Sequence, residues 1–366
     1  MFKIKLNLLI ILVISSFSLW GNPHKGKYKK TKKIEKTYQV YPGVHFYVSN
    51  EYGNINLTGW NKNTVKVEVS ISVTGDDQKA VIEKSKQISI EAKGSDKEVS
   101  FFTHINSSNR SSWSLISLFF GKNQNLGYEI NYDIKVPIKA LVTINNEYGN
   151  IFIDELQGNL KLNADYGKLE IGELGGENNH INLDYFSVSH IDFIRKGIIK
   201  MDYSTMIIDK AYELKIIADY TKIDIHKVRK MQFSNDYGYI KVKDAMLVKG
   251  TGDYQTRTFE NINSLVFSGD YGSIKIVNPK MGFDKIKLDC DYTNVKIING
   301  LQASYRFNLM QDYGCFKYDE LHFIKREEDG QERDIKAYYK EEDSSSLIDI
   351  TADYGCIKIY NHSKKL

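Results

Sequence analysis

An acidic residue followed by tyrosine recurs along this chain at nearly constant spacing, and no other feature limits the fold so tightly. Glu-Tyr occurs at Tyr52 and Tyr148, and Asp-Tyr at Tyr166, Tyr185, Tyr203, Tyr220, Tyr237, Tyr254, Tyr271, Tyr292, Tyr313 and Tyr354. From Tyr148 the successive intervals are 18, 19, 18, 17, 17, 17, 17, 21, 21 and 41 residues, the last about two periods. Such a unit is too short for a β-α-β repeat, which needs about 30 residues, and none contains a helical apolar spacing. One unit is therefore one β-coil, which buries its apolar face only by having neighbours.

The apolar residues bear this out by their phase. Before the tyrosine they sit at even distances, as in Leu160, Leu162 and Ala164 or Ile286, Leu288 and Cys290; after it they sit at odd distances, as in Leu169 and Ile171 or Ile223 and Ile225. Alternation is the mark of a strand with one buried face, and a change of phase at a fixed point is a corner between two strands facing one interior. Glycine follows the tyrosine in seven of the twelve copies, but Phe186, Ser204, Thr221, Gln255 and Thr293 stand there in the others. A positive φ at that position is thus not obligatory, since β-branched threonine would resist it. The expected fold is all-β, a single-stranded β-solenoid (β-helix) of about 17–21 residues per coil. A hairpin array or propeller, which would need tight turn dipeptides at regular offsets, fits the variable second half of the unit less well.

In-register stacking would place Tyr148, Tyr166, Tyr185, Tyr203, Tyr220, Tyr237, Tyr254, Tyr271, Tyr292, Tyr313 and Tyr354 in one structural column. The acids before them, Asp165, Asp184, Asp202, Asp219, Asp236, Asp253, Asp270, Asp291, Asp312 and Asp353, would then point outward as a second column. Carboxylates about 4.8 Å apart repel by roughly 0.9 kcal/mol per pair even in water, so something must offset them. Corner N–H groups donating to the carboxylates are one device. A row of lysines at Lys168, Lys222, Lys241, Lys275, Lys296, Lys317 and Lys358 is another, and calcium a third, although the glycine-rich spacing of calcium-binding β-rolls is absent.

The rest of the chain divides around this array. Residues 1–21 read as a secretory signal peptide, with Lys3 and Lys5 ahead of an apolar run too short to span a bilayer; an uncleaved anchor is the alternative. Residues 22–37, rich in lysine, are expected as a flexible basic arm. Residues 38–135 form an N-terminal β-rich capping region with inserted strands and a short helix within DDQKAVIEKSKQ, followed by a loop at NSSNRSS and an apolar segment, Trp113 to Phe120, that is either a closing strand or an exposed flap. Residues 136–366 are the solenoid repeats, interrupted by a charged excursion at 325–346. Cys315 and Cys356 share a repeat position: they can bridge if the 41-residue interval is one coil with an excursion, and cannot if it is two.

Chemistry is sparse. Fifty basic against 46 acidic side chains give +4, or +2 without the leader lysines, which implies no nucleic-acid partner. The eight histidines form no HExxH or other ligand pair, and neither a nucleophile elbow nor a phosphate-binding loop is present, so no catalytic residue, metal or cofactor is expected. The recurrent (D/E)-Y-G-x-I-x-I motif, as in Glu51-Tyr52-Gly53-Asn54-Ile55-Asn56-Leu57 and Glu147-Tyr148-Gly149-Asn150-Ile151-Phe152-Ile153, together with Tyr132-Asp133-Ile134-Lys135-Val136-Pro137, resembles the DUF4097-type adhesin-like family of exported bacterial proteins. That resemblance spans roughly residues 38 to 360 and implies a β-helix on an exported protein, with no catalytic residues to carry over. The coils of Tyr185 and Tyr254 depart from the motif, with His190 and Arg257 at expected apolar slots.

Together these readings lead to a non-enzymatic cell-envelope β-solenoid, in the periplasm, on the outer-membrane surface or outside the cell. Its partner would be an unidentified protein or glycan. A polysaccharide-processing protein and an envelope-stress signalling partner are the alternatives, and membrane contact is a lesser expectation.

Overall fold

A computed structural model describes residues 26–106 and 126–362, together with the dipeptide Ser16–Phe17. The leader, apart from that dipeptide, and the Trp113 to Phe120 segment lie outside the described residues. The chain divides into two compact units, Met1–Leu174 and Gly175–Leu366. Both are built from parallel strands stacked coil on coil, an all-β solenoid fold.

In the first unit the Tyr52 coil, His45–Glu51 and Ile55–Trp60, lies in parallel register on the Tyr148 coil, which lies in turn on Leu160–Leu174. On its other side the Tyr52 coil pairs with two inserted strands, Glu98–Ile105 and Gly127–Pro137. There the pairing direction changes. Thr64–Gly75 runs antiparallel to Gly127–Pro137, and Ile88–Gly94 antiparallel to Glu98–Ile105, so the exposed edge of a parallel stack is closed off. The helix is Gln78–Gln87; Asp77 caps it by accepting the Ala80 N–H at 2.8 Å, and Lys84 and Lys86 stand in its last turn.

The expected basic arm is instead a strand. Tyr28–Gln39 pairs antiparallel with Thr64–Gly75 over all twelve residues. The partner strand explains this: Val65, Val67, Val69, Ile71 and Val73 are fully buried, so its two edges need backbone partners, and the lysines of the new strand fall on both of its faces, Lys29 and Lys33 exposed and Lys30, Lys32 and Lys36 half-buried with Ile34 and Tyr38.

In the second unit one inward slot runs through nine coils: Ser189, Met206, Ile223, Ile240, Arg257, Ile274, Val295, Ile357 and Phe316 are successive register partners. The last two are out of chain order. After the Tyr313 coil the chain forms an antiparallel pair, His322–Asp329 with Glu332–Tyr339, which closes the edge of Tyr305–Asp312. Leu347–Asp353 and Cys356–Tyr360 then return to lie between the Tyr292 and Tyr313 coils. The 41-residue interval is therefore one coil with an excursion, and part of that excursion is paired strand. Cys315 and Cys356 become direct neighbours, bridged by a disulfide with Cα atoms 4.5 Å apart. Cys290 is a buried thiol, which burial pushes up to about 12.

Candidate functional site: the tyrosine corners

The corner lies on the tyrosine itself. All twelve tyrosines have a left-handed backbone, φ between 48° and 58°, whereas the residue after each does not. This relocates the sequence expectation by one residue. A left-handed residue between two extended strands turns its side chain outward at the point where parity alone would direct it in, and it produces the observed phase change. The glycines that follow answer a different need. A Cβ on Gly238 or Gly272 would collide with the carbonyl oxygen of Thr221 or Gln255 in the next coil, so these positions are set by close backbone approach. Gln255 is the register partner of both glycines.

The tyrosine rings form columns with near-parallel planes. In the first unit Tyr52, Tyr148 and Tyr166 stack at 5.1 and 5.0 Å, and Tyr128 closes one end edge-on at 5.1 Å. In the second unit the order is Tyr185, Tyr203, Tyr220, Tyr237, Tyr254, Tyr271, Tyr292, Tyr354 and Tyr313, with centroids 4.7 to 5.2 Å apart and planes within 6°. These nine rings are 44–55% exposed. Since their faces are covered by one another, what they show to solvent is a row of ring edges and hydroxyls. Burial, and then the neighbouring phenols and aspartates, raises the Tyr237 and Tyr292 hydroxyls above their ordinary range.

Beside the rings the aspartates are linked through the backbone. The carboxylates of Asp202, Asp219, Asp236, Asp253, Asp270 and Asp291 accept the N–H of the next coil's aspartate, Asp219, Asp236, Asp253, Asp270, Asp291 and Asp353 respectively, at 2.7–3.4 Å. Charge-assisted bonds of this kind offset the repulsion along the row. Burial and the carboxylates of Asp353, Asp270 and Asp289 still hold Asp291 above its ordinary range, against the lowering pull of the Asp353 N–H. The seven lysines do not make one row. Lys275, Lys296, Lys358 and Lys317 are successive register partners, while Lys168 bonds Glu170 and Lys241 bonds Glu260 at 3.2 Å. Lys222 instead lines a surface groove of about 290 Å³ with Tyr185, Tyr203, Tyr220, Ser187 and Thr205.

Two coils were expected to be irregular. His190 stays outside, because the one-residue-longer Tyr185 coil puts Ser189 in the inward slot. Arg257 does go inside. It is fully buried, with its guanidinium 4.2 Å from the Phe267 ring centre and donating to the Gly252 carbonyl, and desolvation lowers it to about 10. A cluster absent from the sequence expectations also emerges five to seven residues past the tyrosine, where His190 and Asp192, Asp209, and His226 meet on three consecutive coils. Aligning the repeats on their tyrosines would have revealed it, since Asp209 and His226 both stand at position +6. Among the described residues no helix is long and apolar enough to cross a membrane.

No family model and no curated protein matches the chain. Solved structures resemble it at low identity. One is of a "putative cell adhesion protein" from Clostridium sporogenes, 11% identical over 90% of this chain and 99% of that one, TM-score 0.17. A second is of a "putative adhesin" from Bacteroides fragilis, 16% identical over 67% and 97%, TM-score 0.32. A third is of a "putative lipid binding protein" from Parabacteroides distasonis, 9% identical over 89% and 96%, TM-score 0.30. At these identities and TM-scores the likeness says nothing of ligand or activity.

Proposed function

We propose that the protein is a non-enzymatic, exported binding scaffold of the cell envelope, adhesin-like in role, and that the tyrosine and aspartate edge of residues 175–366 is its contact surface. The observation that carries this is the column of nine half-exposed rings at a constant separation of about 5 Å. A rigid, periodic row of phenol hydroxyls and carboxylates loses little side-chain entropy on binding, because stacking has already fixed every ring. It suits an extended polar polymer whose repeat matches the coil spacing, and a glycan chain has both the hydroxyls and the linear repeat to do so. The exposed groups are the same from coil to coil, unlike the single converging constellation that catalysis requires.

Glycan-array binding and affinity capture with residues 22–366 test the proposal. The expected result is saturable binding to one class of linear saccharide that falls at least tenfold in a Tyr203→Ser, Tyr220→Ser, Tyr237→Ser variant of unchanged β circular dichroism. Binding that survives those changes, or no saccharide ligand at all, would overturn it. Turnover of a bound saccharide would overturn the non-enzymatic part alone.

A further inference from the structure

The side-chain cluster beyond the tyrosine edge has a donor set of its own. His190 Nε2 lies 3.2 Å from Asp209 Oδ1, and His226 Nδ1 lies 3.0 Å from the same oxygen. The other nitrogen of each ring faces a second carboxylate: His190 Nδ1 is 3.6 Å from Asp192 Oδ1, and His226 Nε2 is 3.9 Å from Asp224 Oδ1. Two imidazoles thus converge on one carboxylate, each backed by another. The solenoid brings them together, since Asp209 and His226 hold one repeat position on adjacent coils, and the extra residue of the Tyr185 coil shifts Asp192 into that column.

With neutral rings, hydrogen bonding within the protein leaves this arrangement incomplete; only doubly protonated rings would donate to both of their carboxylates. A neutral imidazole has one N–H. If each ring donates to Asp209, its bare nitrogen faces a carboxylate, and Asp224 Oδ1 is a buried atom with no hydrogen-bond partner. If each ring donates outward, the two lone pairs and Asp209 face one another. A cation at Asp209 removes both conflicts. It would accept His190 Nε2 and His226 Nδ1 as ligands, freeing His190 Nδ1–H for Asp192 and His226 Nε2–H for Asp224, which is the carboxylate–imidazole–metal pattern that orients ligand histidines.

We propose that His190, Asp209 and His226 bind a divalent transition cation of the zinc class, with Asp192 and Asp224 as positioning residues. Donors around tetrahedral zinc lie about 2.0–2.2 Å from the ion, which puts neighbouring donors roughly 3.3–3.5 Å apart. The 3.0 and 3.2 Å contacts at Asp209 are near that separation, but His226 stands outside the set of donors that lie within 4.8 Å of one another, so its ring must turn toward the ion. His190, Asp192 and Asp209 also place one ligand atom each within 4.8 Å of one another, so Asp192 is in reach of the ion if a ring turns. Nitrogen donors select zinc, nickel or copper over calcium and magnesium, which prefer oxygen. The ion would tie three successive coils together.

The test uses residues 22–366 after chelation and dialysis, with zinc chloride alone as the probe. Calorimetric titration is expected to show one zinc per chain, unaffected by excess calcium or magnesium. Affinity should fall at least tenfold in a His190→Gln, His226→Gln variant and in Asp209→Asn, and remain unchanged in His180→Gln. Cobalt added to the unaltered protein should give the intense visible absorption of a four-coordinate site, a readout independent of any variant. No zinc uptake, uptake that persists in the double variant, or a six-coordinate cobalt spectrum would overturn the proposal.

Discussion

The corners of the two units satisfy the same backbone by different side chains. At the Tyr52 and Tyr148 corners of the first unit the acid is Glu51 or Glu147, and the work falls to inward asparagines two residues before the tyrosine, whereas the Tyr166 corner has Asp165 and Ala164. Asn50 Nδ2 donates to the Ile130 carbonyl at 3.0 Å and to Asn146 Oδ1 at 3.1 Å, and Asn146 Nδ2 donates to the Gly53 and Gly149 carbonyls at 3.3 Å each. Asn54 adds an outer ladder by accepting the Asn150 N–H at 2.9 Å. In the second unit the inward slot is apolar in seven of nine coils, five of them small (Ala218, Gly252, Gly269, Cys290 and Ala352), with Asn235 and Gln311 the polar exceptions, and the shorter aspartate reaches the next N–H from outside. One methylene separates the two solutions. At most coils linked by aspartate the inward position is released from hydrogen bonding and can be small and apolar, Asn235 being an exception.

The comparison breaks most clearly at the asparagines. Asn146→Leu removes three bonds, two of them buried, and takes the side-chain donor from the Gly149 carbonyl while Gly53 keeps only Asn50 at 3.4 Å, at about 1–3 kcal/mol for each orphaned group. We expect urea unfolding to show a loss of about 2–4 kcal/mol. Asn235 is the second unit's counterpart. It donates to the Ala218 carbonyl at 2.7 Å and Thr221 Oγ1 at 3.1 Å, but its own Oδ1 is buried without a partner. Asn235→Leu removes that orphan as well as the bonds, so its cost should be about 1 kcal/mol. Equal costs would show that the aspartate row does not relieve the inward slot.

A smaller effect separates ring from backbone at a shared feature. Tyr220 stacks on both neighbours at 4.9 Å and has φ of 51°. Loss of the ring removes two aromatic contacts, about 0.5–1.5 kcal/mol each. Alanine then keeps the cost of a left-handed backbone and glycine does not, so Tyr220→Gly should be more stable than Tyr220→Ala by about 1 kcal/mol. The same ordering is expected at Tyr148. Should alanine prove equal to glycine, the left-handed corner would not be an intrinsic backbone cost in either unit.

Much of this architecture is legible in the sequence, for a physical reason. Alternation and a fixed period follow directly from strand geometry and coil stacking, so Leu214, Ile216 and Ala218 announce their buried face without any knowledge of neighbours. What the period cannot encode is spatial order. The interval from Tyr313 to Tyr354 counts residues, whereas the place of the last coil between two earlier ones depends on which open edge it pairs with. The lysines of Tyr28–Gln39 suggest a free arm because the partners that hold them are 31 to 45 residues away, from Lys36↔Val67 to Lys29↔Thr74. The corner was misplaced by one residue because glycine is the usual sign of a positive φ, while here it marks a close approach. The histidine and aspartate cluster was hidden because its members are neighbours only through stacking, and no local motif contains them.

The smallest expected effect sharpens the comparison through charge. Glu147 has no backbone donor to match that of Asp291, and burial, then the carboxylates of Glu51 and Asp165, hold it above its ordinary range. A carboxyl whose folded-state pKa exceeds its unfolded one binds protons more tightly when folded. Ionised, it therefore opposes folding, and stability is regained as pH falls through the raised value toward the ordinary one of 4.5. Glu147→Gln mimics the protonated form, so the variant should be the more stable protein at pH 7 and lose that advantage by pH 4. Asp291→Asn should show the same sign with a smaller gap, since the change also weakens its bond from the Asp353 N–H. Urea midpoints of the three proteins at the two pH values decide it: a larger gap at Asp291 than at Glu147 would mean that the backbone bond contributes nothing to tolerating the row of charge, and that the two kinds of corner are electrostatically alike.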